Sequence, residues 1–292
     1  MKYSLFLGCT IPARSRNYEL SARAIAARLD IEFVDIKEFS CCGFPLEASD
    51  EMGAILLSAM NLCLAEEKGL NICALCSACT SMLTKTAYNL NHNKRLREQV
   101  NKELSKIGKE YTGEVKVKHF ARILLEDVGL ERIKKEIKQD LKGLKVATHY
   151  GCHYLKPSYI YDGFDDPQDP QSLEKILEAV GVSNIQYKRK KDCCGGPILL
   201  SDEKVALSVA GKKLQCVKET EADCINLVCP FCSLMFDANQ KGVENQFGTE
   251  FHIPVLYLPQ IVGLAMGLGR KELGLNLNSV STKELTAKLE QI

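Results

Sequence analysis

Residues 41–45 read Cys-Cys-Gly-Phe-Pro and residues 193–197 read Cys-Cys-Gly-Gly-Pro. Outward from each pair the same frame appears twice. Gly8-Cys9 precedes the first pair and Gly151-Cys152 the second; Cys76 and Cys79 follow the first, Cys229 and Cys232 the second. The spacings are C-x31-C-C-x33-C-x-x-C and C-x40-C-C-x34-C-x-x-C. Even the trailing residues correspond, Cys79-Thr80-Ser81-Met82 with Cys232-Ser233-Leu234-Met235. Ten of the fourteen cysteines therefore belong to one pattern written twice, the mark of a duplicated cysteine-bearing module.

The chain of 292 residues suits two domains of ordinary size, read as residues 1–143 and 144–292. With 38 basic and 37 acidic side chains the net charge is +1, so no global field recruits nucleic acid or an anionic membrane. Tyr3 to Leu7 is too short for a signal-peptide core, and the longest apolar stretch, Ile253 to Leu268, is broken by Pro254 and Pro259. The expectation is a cytoplasmic protein without a membrane span. In a reducing compartment, cysteine richness argues for metal or redox chemistry over structural disulfides.

Short β-rich runs precede the cysteines: Tyr3 to Leu7, Ile31 to Ile36 and Asn71 to Leu75, then Lys145 to Thr148, Ile185 to Tyr187 and Ile225 to Val228. Helical periods fill the gaps, as in Tyr18, Ala22, Ile25, Ala26 and Leu29. Ser172 is expected to cap one helix and Asp202 to open another. Val115 to Phe120 leading into Ala121 to Val128, and Val255 to Leu258 leading into Gln260 to Leu268, close the modules with a further strand and helix. The rhythm predicts α/β architecture: two modules, each a small, mostly parallel sheet flanked by helices, with cysteine-bearing loops at the carboxyl ends of its strands. The charged segment Glu131 to Gly143 reads as a solvated connecting helix, and the acidic insertion Asp162 to Pro170 as a turn that alters the second rim.

A structural zinc takes four ligands, whereas each set here offers five. Adjacent side chains such as Cys41 and Cys42 reach two metal atoms more easily than one, which favours a polynuclear cluster. The compact ferredoxin run is missing; Cys73, Cys76 and Cys79 imitate only its beginning.

At these residues the chain resembles the CCG family of cysteine-rich proteins, and within it the B subunits of heterodisulfide reductase from methanogens. The likeness spans nearly the whole chain, the 40-residue interval between Cys152 and Cys193 being slightly longer than usual. The resemblance implies that Cys9, Cys41, Cys42, Cys76 and Cys79 hold one noncubane [4Fe-4S] cluster, and Cys152, Cys193, Cys194, Cys229 and Cys232 a second. It further implies reduction of the mixed disulfide of coenzyme M and coenzyme B between the two. Electrons would come from a ferredoxin-like iron-sulfur subunit, itself supplied by a flavin-containing subunit. Other users of the module are iron-sulfur subunits of lactate or glycolate oxidation and of succinate dehydrogenase-like systems; a zinc-binding docking subunit is the non-enzymatic alternative.

Cys63, Cys216 and Cys224 read as packing residues, and so does Cys73, one C-x-x-C step before Cys76. For an anionic substrate, Arg14 after Cys9 and Lys156 after Cys152 are the candidate ligands, with Lys188 to Lys191 next. His153 is the candidate proton donor to a leaving thiolate, or a histidine bonded to cluster sulfide or backbone. His149 and His119 read as structural. The glycines between Gly263 and Gly269 lack the strand and helix context of a dinucleotide site.

Overall fold

The computed structural model describes residues 1–289. Eight short strands form two four-stranded parallel sheets. The first sheet contains β1 (Lys2–Phe6), β2 (Glu32–Val34), β3 (Ile72–Ala74) and β4 (Val117–His119), in the order β2-β1-β3-β4. The second contains β5 (Lys145–His149), β6 (Ser183–Asn184), β7 (Cys224–Leu227) and β8 (Val255–Tyr257), in the order β6-β5-β7-β8. The central strands are apolar and covered on both faces, as parallel sheets require: Leu5, Phe6, Ile72 and Ala74 are buried, as are Val146, Ala147, Ile225 and Leu227.

This order determines where the cysteines fall. The chain winds one way from β1 to β2 and the other way to β3, so the switch point lies between β1 and β3, and equally between β5 and β7. Loops leaving the carboxyl ends of those neighbours meet in a crevice. Cys9 and Cys76 emerge there in the first half, Cys152 and Cys229 in the second.

The crossover helices follow the expected apolar periods. Helix Arg16–Arg28 buries Tyr18, Ala22, Ile25 and Ala26, one face at helical spacing. Helices Glu51–Glu66 and Glu203–Lys218 occupy equivalent places, opened by Asp50 and Asp202, whose carboxylates accept the N–H of Gly53 and Val205. The expectation for Asp202 therefore stands.

The halves share one continuous core. Helix Arg16–Arg28 packs on helix Leu258–Ala265 of the second half, and Tyr18 stacks on Tyr257 with ring centroids 4.0 Å apart. The carbonyl of Val228, just before Cys229, accepts from three side chains of the first half: Tyr18 Oη at 3.3 Å, Ser77 Oγ at 3.2 Å and His119 Nε2 at 3.0 Å. His119 Nδ1 accepts from the Ala121 N–H, which leaves the ring proton on Nε2 for Val228 and for the Leu75 carbonyl.

Four sequence expectations need correction. Ser172 does not cap its helix; the Asp165 carboxylate, from the acidic insertion, accepts the N–H groups of Gln171 and Ser172 there. Ile185 to Tyr187 is not a strand. The edge strand β6 pairs only Ser183 and Asn184, and Tyr187 then leaves the sheet to donate its hydroxyl proton to the Thr148 carbonyl. Ala121 to Val128 is a short α-turn running into a π-helix rather than one regular helix. Glu131 to Gly143 is no solvated helix: only Leu130–Lys135 is helical, Ile133 and Leu141 are buried, and Lys138 and Gln139 donate to the Ala265 carbonyl. Two buried apolar side chains and two backbone hydrogen bonds outweigh the charged composition.

Burial lowers the pKa of His119 from 6.5 to about 4. The unfolded chain thus takes up a proton near pH 6.5 that the folded chain resists until about 4, so this residue's contribution is complete above 6.5 and is lost as pH falls through that window. Chemical denaturation of the metal-free chain should show a loss of about 3 kcal/mol across it, at about 1.4 kcal/mol per pH unit. A His119→Gln chain should lose that part of the slope and keep the part due to His149, whose pKa burial also lowers.

Candidate metal centre

Cys9 and Cys76 sit at the N-caps of helices Thr10–Arg14 and Ser77–His92. Cys152 begins helix Cys152–Leu155, and Cys229 is the N-cap of helix Pro230–Ser233. Free N–H groups at a helix start favour a thiolate over a thiol. The adjacent pairs use another device. Gly43 and Gly195 adopt φ of 91° and 86°, folding the chain back so that backbone N–H groups face the sulfurs. The Gly195 and Gly196 N–H groups each lie 3.3 Å from the Cys193 and Cys194 sulfurs, while Gly43 and Phe44 serve Cys41 and Cys42. Glycine is required at this turn also because an added Cβ would stand 2.4 Å from the Ala54 carbonyl oxygen in the first half and 2.7 Å from that of Ala206 in the second.

The fold brings nine of the ten motif thiols into an unbroken series of side-chain contacts. Cys41 touches Cys42, Cys42 touches Cys79, and Cys79 touches Cys76. Cys76 touches Cys229 across the two halves. From there the series runs through Cys232, Cys194 and Cys193 to Cys152. The tenth, Cys9, is exposed and close enough to Cys41 to raise its pKa. Each adjacent pair splits its directions: Cys42 leads inward to Cys79, while Cys41 faces the outer Cys9. Among the described residues no three ligating side chains close around a single-ion position.

The electrostatics suit a cationic guest. A hydrogen bond from Cys41 holds the Cys42 thiol down at about 4, and one from Cys152 holds Cys193 at about 2. Cys229 is pushed well below the ordinary thiol value, first by Cys232. Their partners are pushed the other way, Cys194 to about 12, first by its hydrogen bond with Cys193 and then by burial. Buried thiolates need a positive partner, and five soft sulfur donors per half fit a multi-atom, thiolate-ligated group.

Cys63, Cys73 and Cys224 are buried in the core as expected, burial raising their pKa values, and Cys216 is half-buried in helix Glu203–Lys218. A cavity of about 750 Å³ lies between the halves beside Cys152. Phe44, Met82 and Lys85 line it from the first half, His153, Lys156 and Tyr159 from the second. Phe44 meets the His153 ring edge-on at 4.7 Å. Lys156 and His153 thus reach a common space; Arg14 is exposed after Cys9 and is not part of the cavity wall. Lys190 pairs with buried Glu174 and Arg189 with Asp192 at 2.8 Å, and Lys191 bonds the Gln168 carbonyl.

Sequence reasoning missed three things. Lys85 gave no signal, being four residues beyond the Cys79-Thr80-Ser81 run. Phe44 did give one, standing where the second copy has Gly196. His149 is structural only in part: its Nε2 lies 3.1 Å from the Cys232 sulfur, and buried Lys213 approaches its Nδ1 at 3.0 Å.

The described residues contain no helix long and apolar enough to cross a membrane. The cysteine-rich CCG domain model matches residues 3–84 and again 146–237, and the chain belongs to that family. It is 34% identical, over all of this chain and 98% of the relative, to the B subunit of a ferredoxin/F420H2-dependent CoB-CoM heterodisulfide reductase from Methanosarcina acetivorans. A protein of Archaeoglobus profundus named for its likeness to the heterodisulfide reductase B subunit is 36% identical over 91% of each chain. The 8-methylmenaquinol:fumarate reductase membrane anchor subunit of Wolinella succinogenes is 32% identical over 97% of this chain and 99% of that one. A crystal structure of a hypothetical protein from Helicobacter pylori superposes with a TM-score of 0.78 at 16% identity, covering 96% of this chain and 52% of that one; it bears on the fold alone.

Replacing Gly43 by Ala imposes both a left-handed backbone on a side chain and the contact with Ala54. Denaturation of the metal-free chain should show a loss of at least about 1–2 kcal/mol from the backbone term. Iron content after reconstitution should fall in the same variant.

Proposed function

We propose that this chain is the disulfide-reducing, catalytic subunit of a heterodisulfide reductase, an oxidoreductase that converts the mixed disulfide of coenzyme M and coenzyme B to two thiols. In this reading Cys9, Cys41, Cys42, Cys76 and Cys79 hold one noncubane [4Fe-4S] cluster, and Cys152, Cys193, Cys194, Cys229 and Cys232 the other. Residues 1–143 and 144–292 are the two cluster-binding domains. The observation that carries it is the run of thiol contacts that crosses between the halves at Cys76 and Cys229 and ends at Cys152 on the cavity wall. When bound, the clusters would supply the electrons and an electrophilic metal surface for sulfur.

The chain's own residues do the rest. Phe44 and Met82 offer apolar surface to the thioalkyl arms of a disulfide, and Lys85 and Lys156 offer positive charge to its acidic ends. Lys85 is already engaged with Glu47 at 2.5 Å, which makes Lys156 the principal anion ligand. His153, next to Cys152, can pass a proton to a departing thiolate. Arg14 serves only a ligand that extends beyond the cavity toward Cys9.

The curated relatives are named as subunits, which supports electron supply by partners: a ferredoxin-like iron-sulfur subunit and a flavin-containing subunit, in the cytoplasm. The Wolinella relative supports a second reading, an iron-sulfur subunit of a fumarate reductase or succinate dehydrogenase-like complex.

Anaerobically purified chain should hold about eight irons and no stoichiometric zinc, as two four-iron clusters require. With a reduced viologen it should turn over the coenzyme M–coenzyme B disulfide. Zinc in place of iron sinks the cluster reading, and iron without disulfide turnover moves the chain to the second one. Serine at Cys42 should empty the first cluster site and serine at Cys194 the second, each leaving the other site loaded by iron content and low-temperature EPR.

A charge-assisted hydrogen bond is worth roughly 1.5–3 kcal/mol, so Lys156→Ala should raise KM about tenfold or more while kcat changes little. Arg14→Ala should raise it less. The reverse order would move the anion site to the Cys9 side.

A further inference from the structure

Helices Glu51–Glu66 and Glu203–Lys218 begin at equivalent caps, Asp50 and Asp202, so Asn61 of the first corresponds to Lys213 of the second. Both hold the residue that precedes the adjacent cysteines. Asn61 Oδ1 accepts the Ser40 N–H at 2.8 Å, and Lys213 Nζ donates to the Asp192 carbonyl at 2.7 Å. The correspondence then breaks in charge. Lys213 is buried, and its three protons have three acceptors: Asp192 O, Lys190 O at 3.0 Å and His149 Nδ1 at 3.0 Å. None of the three is a carboxylate, and the Asp192 side chain is taken by Arg189. A buried ammonium requires negative charge nearby, and the Cys232, Cys193 and Cys194 sulfurs supply it together with the Asp192 carboxylate.

The acceptor role of Nδ1 leaves the His149 proton on Nε2, 3.1 Å from the Cys232 sulfur. His149 ends β5 where Phe6 ends β1. The Cys79 sulfur and the Phe6 ring both lie beside Gly8, 2.8 and 3.6 Å from where an added Cβ would stand, and a phenyl ring has no N–H to donate. One half thus places an N–H donor and a fixed cation behind its last cysteine, and the other places hydrocarbon there.

We propose that Lys213 and His149 are positioning residues that set the two thiolate centres at different potentials: Lys213 orients His149 as a donor to Cys232, so the second centre takes up an electron before the first. Adding negative charge to the centre is favoured by a nearby cation and by hydrogen bonds to its sulfur. The inference rests on the iron-sulfur reading given above. The electron comes from a one-electron donor such as reduced viologen, and no bond in the protein is made or broken.

The test is a redox titration of the full, cluster-loaded chain followed by EPR, with the two signals assigned through Cys42→Ser and Cys194→Ser. In the wild type the second centre should be reduced first. Lys213→Met should change its reduced-to-oxidised ratio at fixed potential by tenfold or more, equivalent to 59 mV for a one-electron couple, with the first centre unmoved. His149→Phe, which copies Phe6, should move it in the same direction, and Lys213→Arg should restore most of the shift. Should Lys213→Met lose iron from the second half, the His149→Phe titration decides. A shift under threefold, or an equal shift in both centres, overturns the inference alone. A wild-type chain without iron overturns it together with the cluster reading.

Discussion

The carbonyl of Val228 is the joint on which the molecule turns. It belongs to the residue before Cys229, and three side chains from the other half converge on it. A polar group so buried cannot be left unmatched without a cost of about 1–3 kcal/mol, so Tyr18, Ser77 and His119 fix the second half's register against the first. That register brings the Cys76 sulfur onto Cys229. Without it there would be two separate thiol nests; with it there is one series of sulfurs. His119 also grips the Leu75 carbonyl, the residue before Cys76, so a single imidazole steadies the backbone entering both C-x-x-C loops.

The sheet order supplies the other constraint. With the first and third strands of each half adjacent and parallel, their outgoing loops share one crevice, and the turn after Cys-Cys can be aimed into it by a glycine whose φ no side-chain-bearing residue adopts cheaply. Helix starts and inward-facing N–H groups make the crevice receptive to sulfur in its charged form. The geometry is thus complete in the protein frame, and the guest is selected by the charge and softness of the donors.

Much of this was legible in the sequence. Repeated spacing revealed the duplication, the cysteine sets and the rhythm of strands, because each follows from local pattern. Asp202 could be read as a cap since its carboxylate acts three residues on. Ser172 misled because the cap came from Asp165, across a loop whose conformation local propensity does not encode. The linker after Glu131 misled for a related reason: a few buried contacts decided its path against its average composition. Lys213 was invisible as a site residue because a lysine in an amphipathic helix ordinarily faces water, and only the fold turns this one inward. The cavity is likewise a property of two halves pressed together, with no counterpart in either alone.

Phe44 and Gly196 occupy the same place in the two copies, and the difference makes the duplication irreversible. At Gly196 a side chain would begin 3.3 Å from the Cys194 sulfur and 3.4 Å from the Phe231 side chain, so any residue there must push a cysteine or Phe231 aside. Phe44 instead extends across the seam, against His153 and toward Phe231 with ring centroids 6.5 Å apart. The second half is in effect a socket and the first a plug. Two copies of either would not reproduce the seam, so a chain that arose from repetition now depends on the repeats being unlike.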